Sequence, residues 1–81
     1  MSTPRAAVRE WILARRPEVP PAALQDDTPL LTSRLLTSLD LLELIVFLER
    51  LRARPVRVEE LRAGAFHDLN ALCLNFLEDV P

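Results

Sequence analysis

Thr37-Ser38-Leu39-Asp40-Leu41-Leu42-Glu43-Leu44-Ile45-Val46-Phe47-Leu48-Glu49 decides the reading of this chain. The run is rich in Leu, holds no Pro or Gly, and is longer than a typical strand, so it predicts a helix. Thr37 is a good N-cap, because its hydroxyl accepts one of the backbone N–H groups that a helix start leaves without a partner. Asp40, three residues on, plays the acidic member of a capping-box-like pair and meets the positive end of the helix dipole. The helix therefore begins at Ser38 and extends to about Arg52. A serine there stands at the mouth of a bundle, beside free N–H groups that favour an attached phosphate.

The polar residues of this helix are confined to Asp40, Glu43, Glu49, Arg50 and Arg52. A helix so widely apolar is expected to be central, with Leu42, Val46 and Phe47 partly exposed as a face offered to a partner. Before it, a first helix is expected from Thr3 to about Arg16. Ser2 and Thr3 offer caps, Pro4 suits the first turn, Ala7, Val8, Trp11, Ile12 and Leu13 mark an apolar face, and Pro17 ends the element. From Glu18 to Thr37, Pro20, Pro21 and Pro29 disfavour regular helix except for a turn at Ala22 to Gln25. Leu30, Leu31, Leu35 and Leu36 are expected to pin this long loop to the core.

After Ala53-Arg54-Pro55, Val58 to Leu61 reads as a short helical turn ending near Gly64. A last helix from about His67 to Glu78 carries Leu69, Leu72, Cys73, Phe76 and Leu77 at core-facing spacing. The expected architecture is all-α, a small four-helix bundle with a long loop between its first and second helices, forming one domain over residues 1–81.

Composition narrows the function. At 81 residues with a net charge of −2 the chain has one modest core and no global basic field, which sets nucleic-acid binding aside. All ten cations are Arg, and one cysteine precludes an internal disulfide. There is no secretory h-region at the N-terminus and no apolar run of membrane-spanning length, so a cytoplasmic monomer away from membranes is expected. Cys73 reads as a small buried hydrophobe, and His67, on another face of the same helix, makes no nucleophilic pair with it. One Cys and one His do not supply a structural zinc site. Arg50, Arg52, Arg54 and Arg57 read as cations complementing the negative end of the central helix.

The segment Asp27-Thr28-Pro29-Leu30-Leu31 to Leu35-Leu36-Thr37-Ser38-Leu39-Asp40-Leu41-Leu42-Glu43-Leu44, followed by Phe47-Leu48-Glu49, resembles the acyl and peptidyl carrier proteins, four-helix bundles whose Asp-Ser-Leu motif starts the second helix. The resemblance implies that Ser38 is the attachment site for 4'-phosphopantetheine and that the chain is no enzyme. It would be a discrete carrier holding an acyl, aminoacyl or polyketide intermediate as a thioester in a dedicated biosynthetic pathway of the polyketide or nonribosomal-peptide kind. It also implies partners: a phosphopantetheinyl transferase, an acyl- or aminoacyl-activating ligase, and a ketosynthase, acyltransferase or other tailoring enzyme. Thr37, Leu39, Asp40, Leu42, Glu43, Val46, Phe47 and Glu49 would meet them. Thr37 stands where the family has Asp, Arg34 or Leu35 near where Gly is common, and Arg50 where another acid is usual. The alternative is a carrier-fold helical module that binds a partner through its second helix and carries no arm.

Overall fold

The computed structural model describes residues 3–80. Among these residues, three α-helices, α1 (Pro4–Arg15), α2 (Ser38–Arg52) and α3 (Leu69–Phe76), are joined by long connections that contain single 3-10 turns at Pro21–Ala23 and Val58–Glu60. The Cα radius of gyration is 11.8 Å, close to the ~12 Å expected of a compact chain of this length.

α1 starts where expected. The Thr3 hydroxyl accepts the Ala6 N–H at 3.1 Å, and Pro4 occupies the first turn, where its missing N–H costs nothing. Ser2, the other candidate cap, lies outside the described residues. Pro17 disfavours helical geometry in the residue before it, and Arg16 accordingly leaves the helix at φ −130°. Val8 and Ile12 are fully buried, and α1 packs against α3.

α2 has the bounds that its caps dictate. The Thr37 hydroxyl accepts the Asp40 N–H at 3.2 Å while the Asp40 carboxylate accepts the Thr37 N–H at 2.8 Å. At the other end Ala53 adopts the left-handed conformation, φ 57°, and Pro55 prevents resumption. Asp40, Leu44, Leu48 and Arg52, spaced by four, form the inward stripe.

The fourth helix of the expected bundle is absent among the described residues: Val58–Glu60 is one 3-10 turn. Pro55 and the positive-φ Gly64 bracket the segment, and Glu60 turns back to accept the Arg57 N–H at 2.8 Å and to bind Arg52. α3 is also shorter than expected. Asp68 is its N-cap, accepting the Ala71 N–H at 2.7 Å, and its last residue is Phe76, with Leu77 as a buried C-cap whose N–H donates to the Cys73 carbonyl.

The loop between α1 and α2 is pinned as expected by Leu30, Leu35 and Leu36, with Leu24 added, but Leu31 is turned largely outward. Polar ties reinforce it. The Leu30 N–H donates to the His67 carbonyl at 2.8 Å, and Asp26 receives Arg5 and Arg9 from α1 while its carbonyl accepts the Asn70 N–H of α3. Among the described residues, no helix is long and apolar enough to cross a membrane.

Candidate functional site: the start of α2

Ser38 is the first residue of α2 and is exposed. The Thr37 hydroxyl takes the Asp40 N–H and the Thr37 carbonyl takes the Leu41 N–H, which leaves the N–H groups of Ser38 and Leu39 without a partner among the described residues. An exposed hydroxyl thus stands beside two free donors at the positive end of a 15-residue helix.

One helical turn on, Leu41 forms a wall of a cavity of about 280 Å³ that is completed by Pro29, Leu31, Thr32, Arg62, Gly64, Phe66 and His67. Residues three apart on a helix have Cβ atoms about 5–6 Å from each other, so the cavity opens within a turn of Ser38. Its lining is mainly apolar, with Arg62 and His67 at the edge. No pattern in the chain signals this cavity, because its remaining walls come from two irregular segments far apart in the chain whose pairing no periodicity encodes. The half-exposed Leu31 is its clearest trace.

The structure separates the expected partner-binding residues into two groups. Leu39 (76% exposed), Leu42 (64%) and Val46 (48%) face solvent, together with Thr37 and Glu43. Phe47, as expected, and Glu49 are partly exposed, and Asp40 is buried. Asp40 receives Arg16 in addition to the capping contacts. Its carboxyl is held below the usual range, first by the Thr37 N–H, then by the Thr37 hydroxyl and Arg16 against the opposing effect of burial. Phe47 stacks on Trp11, ring centroids 5.7 Å apart. Glu49 accepts the Val56 N–H at 2.8 Å and so ties down the chain after the helix. Glu43 is exposed but paired with Arg15, whose guanidinium lies 4.2 Å over the Trp11 ring. Of these acids Asp40 is committed inside the fold, whereas Glu49 stays partly exposed and is tied to the backbone of the following loop.

The arginine cluster after α2 divides similarly. Arg52 has a side chain only 1% exposed and binds Glu60 through both terminal guanidinium nitrogens, at 2.8 and 2.6 Å. It also donates to the Pro55 carbonyl at 2.6 Å and lies over Phe76. Glu60 is drawn down to about 2 by Arg52 and by the Arg57 N–H. Cys73 is partly buried, and burial pushes its thiol up, which disfavours the nucleophilic thiolate.

Comparison with family models, curated proteins and solved structures found no match to the chain.

Proposed function

We propose that the chain is a carrier protein whose Ser38 takes up 4'-phosphopantetheine and holds an acyl, aminoacyl or polyketide intermediate as a thioester. The observation that carries this reading is the exposed Ser38 hydroxyl at the capped start of α2, with the Ser38 and Leu39 N–H groups free beside it. The Ser38 oxygen attacks the phosphorus of coenzyme A that bears the pantetheine. The new P–O bond replaces the one to the bridging oxygen, 3',5'-ADP leaves, and the hydroxyl proton passes to the transferase.

The resulting phosphodiester is an anion, which the free donors and the helix dipole favour. The arm, once attached, supplies a thiol for the cargo. The chain's own contribution is placement. It anchors the arm at a rigid helix start, raises the effective concentration of cargo at matched enzymes, and sets an apolar cavity within a turn of the attachment point.

Incubation with coenzyme A and a phosphopantetheinyl transferase is expected to add one arm per chain by intact mass. Ser38→Ala is expected to add none while melting at the same temperature, since the side chain is exposed. A transferase panel that includes the source organism's own enzyme and leaves the wild type unmodified would overturn the reading. Thr37 favours a second one, an unmodified helical interaction module, because its side chain is committed to the capping box and offers no carboxylate to a transferase. The mass of the protein isolated from its source separates the two: an arm supports the carrier, a bare chain the module.

A further inference from the structure

The cavity beside α2 combines apolar walls with two side chains of the opposite character. Pro29, Leu31, Leu41 and Phe66 are the apolar walls, and Leu31 is left 44% exposed. Phe66 is held by Phe76, ring centroids 5.1 Å apart. At about 280 Å³ the space takes on the order of nine non-hydrogen atoms, if each fills a water molecule's share of the liquid, about 30 Å³.

Arg62 and His67 line the same space, and among the described residues no carboxylate does. Arg62 is exposed and uses only its Nε, which donates to the Glu59 carbonyl at 3.4 Å. Its two terminal nitrogens have no acceptor among the described residues. His67 has one acid beside it, Asp68, whose Oδ2 lies 4.0 Å from Nε2 and whose Oδ1 caps α3. The exposed acids of neighbouring segments do not reach in. Glu43 is bound to Arg15 at the cleft over Trp11, Asp27 lines a separate hollow beside Arg9, and the Glu59 carboxylate makes no ion pair with Arg62.

We propose that this cavity is a ligand site for a short alkyl chain ended by a carboxylate, its methylenes against Leu31, Leu41 and Phe66 and its carboxylate on Arg62 and His67. The inference rests on the carrier reading in one respect: there the group is the far end of a cargo attached at Ser38. The apolar walls supply the non-directional attraction. A guanidinium with both terminal nitrogens unclaimed takes a carboxylate through two parallel N–H donors, and the imidazole N–H adds a third. A plain alkyl chain would cover these donors with nothing to accept their hydrogen bonds. An ammonium would meet the like charge of Arg62. A phosphate would bring almost two charges to a site with one permanent cation.

The test is an NMR titration of the isotope-labelled full chain with heptanoate, heptanol, heptylamine and heptyl phosphate, which share one chain and differ at its end. Heptanoate is expected to shift the amides of Leu31, Leu41, Gly64, Phe66 and His67. It is expected to bind about tenfold more tightly than the other three, the scale of one charge-assisted hydrogen bond. Arg62→Gln is expected to bring heptanoate to the level of heptanol while leaving heptanol unchanged, a split that a merely structural role of Arg62 would not produce. Leu31→Trp, made at an exposed side chain so that the fold survives, is expected to weaken all four by filling the space. The chain loaded by a transferase from heptanedioyl-coenzyme A is expected to show the same shifts, lost in Arg62→Gln, and the chain loaded from heptanoyl-coenzyme A to lack them.

Equal binding of heptanoate and heptanol, tighter binding of heptylamine or heptyl phosphate, or shifts centred on the cleft over Trp11 overturns the proposal. So does an Arg62→Gln variant that keeps the preference. The free probes need no arm on Ser38. A chain that prefers heptanoate but is never modified refutes the carrier reading and keeps the site. A chain that is modified but shows no preference for the carboxylate does the reverse. Shifts from free heptanoate with none from the attached heptanedioyl group make the ligand a free acid and refute its role as cargo.

Discussion

Arg34 holds φ at 62°, a left-handed conformation that disfavours any residue with a Cβ. The strain is worth about 1–2 kcal/mol for an L-residue, and part of its relief by glycine is offset by glycine's greater freedom in the unfolded chain. Arg34→Gly is therefore expected to stabilise the fold by about 0.5–1 kcal/mol, raising the thermal midpoint by a few degrees. Calorimetry checks this, and an unchanged or lower midpoint would show that the side chain is worth more to the fold than its strain. The resemblance marked this neighbourhood as one where Gly is common, but no local pattern marked Arg34 itself. Arg52 was less legible still. Its sequence position suggested a solvated cation at a helix end. The burial comes from Glu60 and from carbonyls of the following loop, contacts that depend on where that loop returns.

At the scale of elements, the clearest prediction concerns the start of α2. Thr37→Ala removes the hydroxyl half of the capping box and is expected to cost about 1 kcal/mol. Asp40→Ala also leaves Arg16 without its carboxylate and is expected to cost about 3 kcal/mol. Denaturant unfolding of the two variants separates these values, and equal losses would mean that the Arg16 contact adds nothing. The ends of α2 were readable because they are written locally, in Thr37, Asp40 and Pro55. α1 was readable for the same reason, in Thr3, Pro4 and Pro17. The expected fourth helix failed because Val58–Glu60 carries helix-compatible residues but too few turns to sustain a helix by itself, and tertiary contacts to Arg52 fix it as a 3-10 turn. The extra residues assigned to α3 failed because no Gly or Pro marks the stop: Leu77 keeps its N–H bond to the Cys73 carbonyl and the chain leaves the helix there. The exposed apolar face of α2 was anticipated, whereas the burial of Asp40 and the contacts of Phe47 and Glu49 depend on Arg16, Trp11 and Val56, which no helical periodicity places.

For the molecule as a whole, acid is the informative variable. Glu60 titrates at about 2 in the folded chain, against an ordinary value near 4.5. A carboxyl whose folded value is depressed contributes stability that is complete above the unfolded value and disappears as pH falls through the folded one. The Arg52–Glu60 contribution is therefore expected to be intact above about pH 4.5 and to drain away toward about pH 2. Asp40 and Asp79, also lowered, Asp79 chiefly by its hydrogen bond from Arg54, act in the same direction. Urea midpoints across this range are expected to fall less steeply for Glu60→Gln than for the wild type, from a lower starting stability at neutral pH. Parallel curves would assign the acid sensitivity to other carboxyls.

The chamber near Ser38 has one rigid flank, the first turns of α2, and one flank of irregular chain from Leu61 to His67, fastened behind by Arg52 on Glu60 and ahead by the Asp68 cap. Such a flank gives way locally at far smaller free energy than a helix does. Deuterium should replace its amide hydrogens well before those of Leu44 and Leu48, as mass-resolved exchange would register. Any change in the volume of the chamber would then fall on that yielding side alone, with the helical scaffold undisturbed.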